Sequence, residues 1–146
     1  MKYTIGIDTG THTGMAVYDH EEGRFVIVAT TDIISAIDLV RQLNENGGCK
    51  VIYEDARLRK WYGKDATAKL QGAGSIKRDC EIWEKMLRDN KIEHHGVHPI
   101  KGATKRNQRD IELLTGWKGR TSEHARDAIL IAHLAVLHDI KKQATK

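Results

Sequence analysis

The amino-acid sequence predicts a single α/β domain, in which a five-stranded mixed sheet carries helices on both faces. Three strand-like segments come first and are joined by short polar turns of the kind found in hairpins. Helical and strand patterns then alternate, as they do where parallel strands are connected by right-handed crossovers. The chain has 146 residues, of which 40% are hydrophobic. One domain over residues 1–146 can therefore bury a core without disulfide or metal support.

The first three strands are predicted over residues 3–8, 15–18 and 25–31. The first alternates as a strand and ends at Asp8, and a turn rich in Gly and Thr follows it. Residues 19–23 form the second turn, and the third segment is apolar and rich in β-branched side chains. These segments predict an antiparallel meander.

The rest of the chain predicts alternating helices and strands. Asp32 is a plausible N-cap of the first helix, and Pro99 ends the last strand because it has no backbone N–H to donate. One face of the second helix is marked by the apolar residues Ile76, Cys80, Trp83 and Leu87. In chain order the elements are a helix over 33–43, a strand over 51–54, a helix from Ser75, a strand over 91–98, a short helix over 109–114 and a helix over 122–141.

Charge is distributed unevenly along this chain, whose net charge is +4. Residues 1–55 hold 4 Lys/Arg against 9 Asp/Glu, whereas residues 56–79 hold 7 against 2 and residues 99–120 hold 6 against 2. Two basic blocks of this kind are typical of proteins that bind a polyanion, although solvated surface loops are the alternative. The two cysteines are interpreted as reduced thiols, and no apolar run reaches membrane-spanning length. We therefore expect a cytoplasmic protein that does not enter a membrane.

Acidic side chains end two strands that the predicted topology makes neighbours. Asp8 ends the first strand and Glu54 ends the fourth, so their like charges are expected to meet at one sheet edge. Divalent Mg²⁺ or Mn²⁺ relieves such repulsion and prefers oxygen ligands. His124 and Asp127 share one face of the last helix at i and i+3 and are expected over the same strand ends. A solvated helix turn, with Asp127 near the helix dipole, is the alternative for this pair.

Three motifs carry a resemblance to a known family. Ile5-Gly6-Ile7-Asp8-Thr9-Gly10, Val51-Ile52-Tyr53-Glu54 and His124-Ala125-Arg126-Asp127-Ala128 resemble the acidic motifs of RuvC-type Holliday junction resolvases, members of the ribonuclease H-like superfamily. The resemblance implies a ribonuclease H-like fold, and it implies Asp8, Glu54, His124 and Asp127 as catalytic ligands of two Mg²⁺ ions, with Mn²⁺ as a substitute. It also implies resolution of four-way or branched DNA with 5′-phosphate products. The chain is compact like phage-borne versions, which would place it in a bacterium or a phage-infected host cell. It departs from the common pattern in having His124 where most members have Asp.

Basic and aromatic residues after Glu54 are expected to hold the nucleic acid. Cations contact phosphates, and exposed aromatic rings stack on unpaired bases. Burial of Trp61 and Tyr62 in the core, with the cations solvated, is the alternative. The predicted nucleic-acid-binding residues are Arg57, Arg59, Lys60, Trp61, Tyr62, Lys64 and Lys77 in the first block and Lys101, Lys105, Arg106 and Arg109 in the second.

The resemblance also implies a homodimer, because two symmetric cuts require two sites. We expect its interface on the helix over residues 76–90, where Ile82 and Met86 lie beside the main apolar face. The acidic site fits two other activities on the same fold, a ribonuclease H and a pre-ribosomal RNA processing ribonuclease. A non-catalytic nucleic-acid-binding relative is a further alternative. An actin-like ATPase would need two such domains, and this chain holds one.

Overall fold

A computed structural model describes residues 1–59, 74–100 and 106–146 and contains the five-stranded mixed sheet that the sequence predicts. In space the strands follow the order β3-β2-β1-β4-β5. β2 pairs antiparallel with β1 and with β3, whereas β4 pairs parallel with β1 and with β5. The strand bounds are β1 Tyr3–Asp8, β2 Thr13–Asp19, β3 Arg24–Thr31, β4 Cys49–Glu54 and β5 Glu93–Val97.

Helices cover both faces of this sheet. The bounds are α1 Ile33–Glu45, a 3₁₀ turn Ala56–Leu58, α2 Gly74–Asp89, α3 Gln108–Thr115 and α4 Glu123–Ala144. Asp32 caps α1 as predicted, since its side chain accepts a hydrogen bond from the Ser35 N–H. Ser122 caps α4 by accepting one from the Ala125 N–H. Each cap satisfies a backbone donor that the start of a helix leaves without an intrahelical partner.

The core has one layer on each side of the sheet. Alternate side chains of a strand point to opposite faces, so Ile5 and Ile7 of β1 enter the layer under α1 and α2. The opposite layer joins Ala16 and Phe25 of the sheet to α3 and α4. Both layers are closed by fully buried helix residues, which are Ala36 and Val40 of α1, Trp83 and Leu87 of α2, Ile111 of α3, and Ala128 and Ile129 of α4.

Two glycines let α4 lie directly on the sheet backbone. A Cβ at Gly6 would overlap the Ala128 carbonyl oxygen and stand 2.8 Å from the Ala132 nitrogen. A Cβ at Gly14 would overlap the His124 carbonyl and stand 3.2 Å from the Ala125 nitrogen. The N-terminal half of α4 is therefore fixed directly against β1 and β2.

The structure corrects three details of the predicted elements. β2 begins at Thr13 rather than Met15, because Gly14 pairs with Asp8 and extends the hairpin. Ile76 is 40% exposed instead of belonging to the core face of α2. Met86, expected at a dimer interface, is buried in the core beneath α1 and α2, so it offers no surface to a partner.

None of the helices in the three described ranges is both long enough and apolar enough to cross a lipid bilayer.

Candidate metal centre

Asp8 and Glu54 lie at the carboxyl ends of two adjacent parallel strands. In the parallel register Ile7 is opposite Tyr53, so each acidic residue directly follows the last position at which β1 and β4 pair. Asp8 is buried, and Glu54 is partly exposed. The sheet thus brings together two carboxyl groups that are distant in the chain, at the edge where α/β sheets bind ligands.

The first turn of α4 adds two more side chains to this edge. The Nδ1 atom of His124 is 2.8 Å from the Oδ2 atom of Asp8, within hydrogen-bond distance. Asp127, one turn further along α4, is only 8% exposed. The close packing of α4 on Gly14 explains this placement, because no side chain separates the helix backbone from the strand.

The three carboxyl groups interact electrostatically. Burial, together with the charges of Asp8 and Asp127, raises the pKa of Glu54 to about 7, although the Arg59 charge opposes this rise. Burial also raises the pKa of Asp127 to about 6, again with a contribution from Asp8. Burial raises the pKa of Asp8, and the hydrogen bond with His124 lowers it and offsets part of this rise. Desolvation therefore acts on every member of the group, and like-charge repulsion adds to it.

These features fit a divalent cation. The donors are carboxylate oxygens, which Mg²⁺ and Mn²⁺ prefer. The Oδ1 atom of Asp127 is buried and has no hydrogen-bond partner within the described residues, a costly arrangement that an ion would relieve. As these side chains stand, no three His, Cys, Asp or Glu groups in the described ranges are gathered closely enough to hold one ion. The hydrogen bond to His124 occupies one Asp8 oxygen, so a cation would require these side chains to rearrange.

Sequence reasoning did not assign Thr9, Cys80 or Glu123 to this site. The Thr9 hydroxyl donates a hydrogen bond of 2.9 Å to the Glu54 carbonyl and lies 3.4 Å from the Cys80 sulfur, which ties the ends of β1 and β4 to the side of α2. Glu123 lies close enough to raise the pKa of both Asp8 and Asp127. In the sequence, the position of Glu123 directly before His124 is the feature that could have indicated its place at this site.

Arg57 is engaged in a local ion-pair network and not available as a free cation. Its guanidinium group donates to Asp55 at 2.7 Å and to Glu84 at 2.8 Å. Its hydrogen bonds hold the pKa of the buried Asp55 below its usual range. These ion pairs link the 3₁₀ turn to α2. That Arg57 also contacts nucleic acid stays a prediction.

The remaining predicted nucleic-acid contacts divide into two groups. Arg59, Arg106 and Arg109 are exposed, and Lys77 is partly exposed in the first turn of α2. The others lie outside the described residues, which applies to Lys60, Trp61, Tyr62, Lys64, Lys101 and Lys105.

Comparison with models of known protein families and with curated proteins gave no match for this chain. The functional assignment therefore depends on the geometry and chemistry of its own residues.

Proposed function

We propose that the protein is a metal-dependent, structure-selective endodeoxyribonuclease of the ribonuclease H-like type that cuts four-way or branched DNA. The observation that carries this proposal is the grouping of Asp8, Glu54 and Asp127 at one sheet edge, with the pKa of each raised. An uncompensated acidic group of this kind destabilises the protein, and a bound cation offsets that cost. The exposed Arg59 and the basic residues around α3 supply the positive charge that DNA requires.

The proposed Mg²⁺ ligands are Asp8, Glu54, Asp127 and His124. When bound, two such ions would activate a water molecule and stabilise the leaving 3′ oxygen during phosphodiester hydrolysis, which leaves a 5′ phosphate. Asp8 and Glu54 would hold the cations, because strands β1 and β4 fix the positions of the two residues. His124 contacts Asp8 through its Nδ1 atom, which leaves its Nε2 atom either to ligate a cation or to exchange a proton with water.

The proposed active form is a homodimer, because two symmetric cuts in a four-way junction require two sites. Ile82 on α2 is 41% exposed, and Ile76 on the same helix is 40% exposed, which gives this helix apolar surface for a partner. A twofold axis is the commonest arrangement for such a pair.

Cleavage of three labelled substrates tests the proposal. A four-way DNA junction, a linear duplex of the same sequence and an RNA/DNA hybrid are incubated with the protein in Mg²⁺ or in EDTA. We expect Mg²⁺-dependent cutting of the junction at symmetric positions with 5′-phosphate ends. Preferential cutting of the hybrid would instead favour a ribonuclease H, and junction binding without cutting of any substrate would favour a non-catalytic binding protein.

A further inference from the structure

A histidine outside the predicted ligand set lies next to His124. His12 is exposed on the turn between β1 and β2, and its ring stacks on that of His124, with 6.2 Å between ring centroids and 29° between ring planes. His124 in turn bonds Asp8 through Nδ1. The exposed imidazole of His12 therefore stacks on the histidine that contacts Asp8.

The turn that carries His12 is held at both ends. The Thr9 hydroxyl donates to the Glu54 carbonyl, and the Thr13 hydroxyl donates to the Gly10 carbonyl, each at 2.9 Å. Thr13 is fully buried, which fixes the residue that follows His12. These contacts keep the turn in place and present the imidazole of His12 next to His124, so its position does not depend on a long flexible loop.

The acidic side chains of the site lack hydrogen-bond donors that match an anionic substrate. When ionised, Asp8, Glu54, Glu123 and Asp127 only accept hydrogen bonds, and so do the non-bridging oxygens of a phosphodiester. His12 offers a ring N–H at the entrance, whichever tautomer it adopts. His12 is therefore suited to bind a phosphate oxygen of a nucleic-acid strand that lies at Asp8.

We infer that His12 binds the phosphodiester backbone of the substrate beside His124. This inference rests on the proposed function, since it assigns a substrate contact at the same site. A substrate contact requires an N–H donor at this position, whereas a purely structural stacking partner requires the ring. Variants that keep the donor without the ring therefore distinguish the two roles.

Three variants test this role with a labelled four-way junction. His12→Ala removes the donor, and His12→Gln keeps a side-chain N–H. His138→Ala is the matched control, because His138 is an exposed histidine near the opposite end of α4. Initial rates in Mg²⁺ give kcat and KM, equilibrium binding is measured with Ca²⁺ in place of Mg²⁺, and thermal melts confirm folding.

We expect His12→Ala to lower kcat/KM at least about tenfold, mainly through a higher KM, because a hydrogen bond to a charged group is lost. His12→Gln should stay within about threefold of the wild type, and His138→Ala within about twofold, because the first keeps a donor and the second lies far from the site. Wild-type kinetics for His12→Ala, or equal impairment of His12→Ala and His12→Gln, would overturn the inference.

Failure of the proposed function has a different signature. If the wild type binds the junction but cuts no substrate, the nuclease proposal fails, and the role of His12 is decided by binding alone. A dissociation constant at least about tenfold weaker for His12→Ala would then support the phosphate contact, and an unchanged one would refute it.

Discussion

Replacement of Glu54 by glutamine should make the metal-free protein more stable at alkaline pH. Glu54 is held near Asp8 and Asp127, and its pKa is raised to about 7 by burial and by their charges. The glutamine side chain would keep the size and polarity of the original but carry no charge. The variant is thus an uncharged form of the residue at every pH.

The size of the expected stability difference follows from the difference in the Glu54 pKa between the folded and unfolded chains. A rise from 4.5 to about 7 corresponds to about 3 kcal/mol between the two protonation states. Glu54 is partly exposed, so solvent screening reduces the expected effect to about 1–2 kcal/mol. For a chain of this length that gives about 3–8 °C in Tm.

The direction of the Glu54 pKa shift determines the pH range in which the variant is more stable than the wild type. Because the folded chain binds the Glu54 proton more tightly than the unfolded chain, the free energy of unfolding of the wild type falls as pH rises from about 4.5 to 7. The variant lacks this contribution. Its advantage should therefore be full at about pH 8 and small at about pH 4.5.

Thermal and urea unfolding in EDTA at these two pH values measure the effect. Glu81→Gln, at an exposed position of α2, is the matched control and should match the wild type at both values. Addition of Mg²⁺ at the higher pH should raise the Tm of the wild type more than that of Glu54→Gln. Equal stability of wild type and variant at the higher pH, or the same difference at both pH values, would refute the reasoning.

Three further substitutions test separate parts of the account. Gly14→Ala should lower the free energy of unfolding by about 3 kcal/mol in urea titrations, since its methyl group meets the α4 backbone. Gly74→Ala should not destabilise the fold, because no atom of the described residues lies within 4 Å of the added methyl group. Arg57→Ala should lower the free energy of unfolding by about 2 kcal/mol, because it leaves the buried Asp55 carboxylate without its ion-pair partner. Junction affinity in binding assays should be unchanged if the role of Arg57 is structural, whereas a clear loss of affinity would confirm the predicted DNA contact. Asp8→Asn should reduce the cleavage rate at least about 100-fold with junction binding retained. Cleavage by this variant at the wild-type rate would show that Asp8 is not an active-site residue.

The fold and the position of the acidic residues were largely predictable because local patterns determine them. Short polar turns specify the β1–β2–β3 meander, and the right-handed crossover rule places β4 beside β1. Once those strands are neighbours, Asp8 and Glu54 must end at the same edge. His124 and Asp127 share one face of α4 through their i, i+3 spacing. They reach this edge because Gly6 and Gly14 let the helix pack closely on the sheet.

The features that sequence reasoning missed depend on contacts between distant segments. Arg57 resembled the other cations of its block, and only folding brings Glu84 of α2 within 2.8 Å of it. Met86 and Ile82 lie one helical turn apart on α2, but in the folded chain Met86 belongs to the buried core cluster and Ile82 stays 41% exposed. His12 occupies a polar turn whose sequence gives no sign that its ring meets His124.

Titration of the protein with Mn²⁺ tests the central claim, a divalent-cation site formed by Asp8, Glu54 and Asp127, most directly. Calorimetry at about pH 6.5, between the two raised pKa values, in buffers of different ionisation enthalpy gives both the binding and the number of protons released. We predict saturable binding that releases about one proton, because Glu54 with a pKa of about 7 and Asp127 with a pKa of about 6 must ionise as ligands. Asp8→Asn should abolish it. Absence of saturable binding to the wild type, or binding that Asp8→Asn leaves intact, would contradict the account.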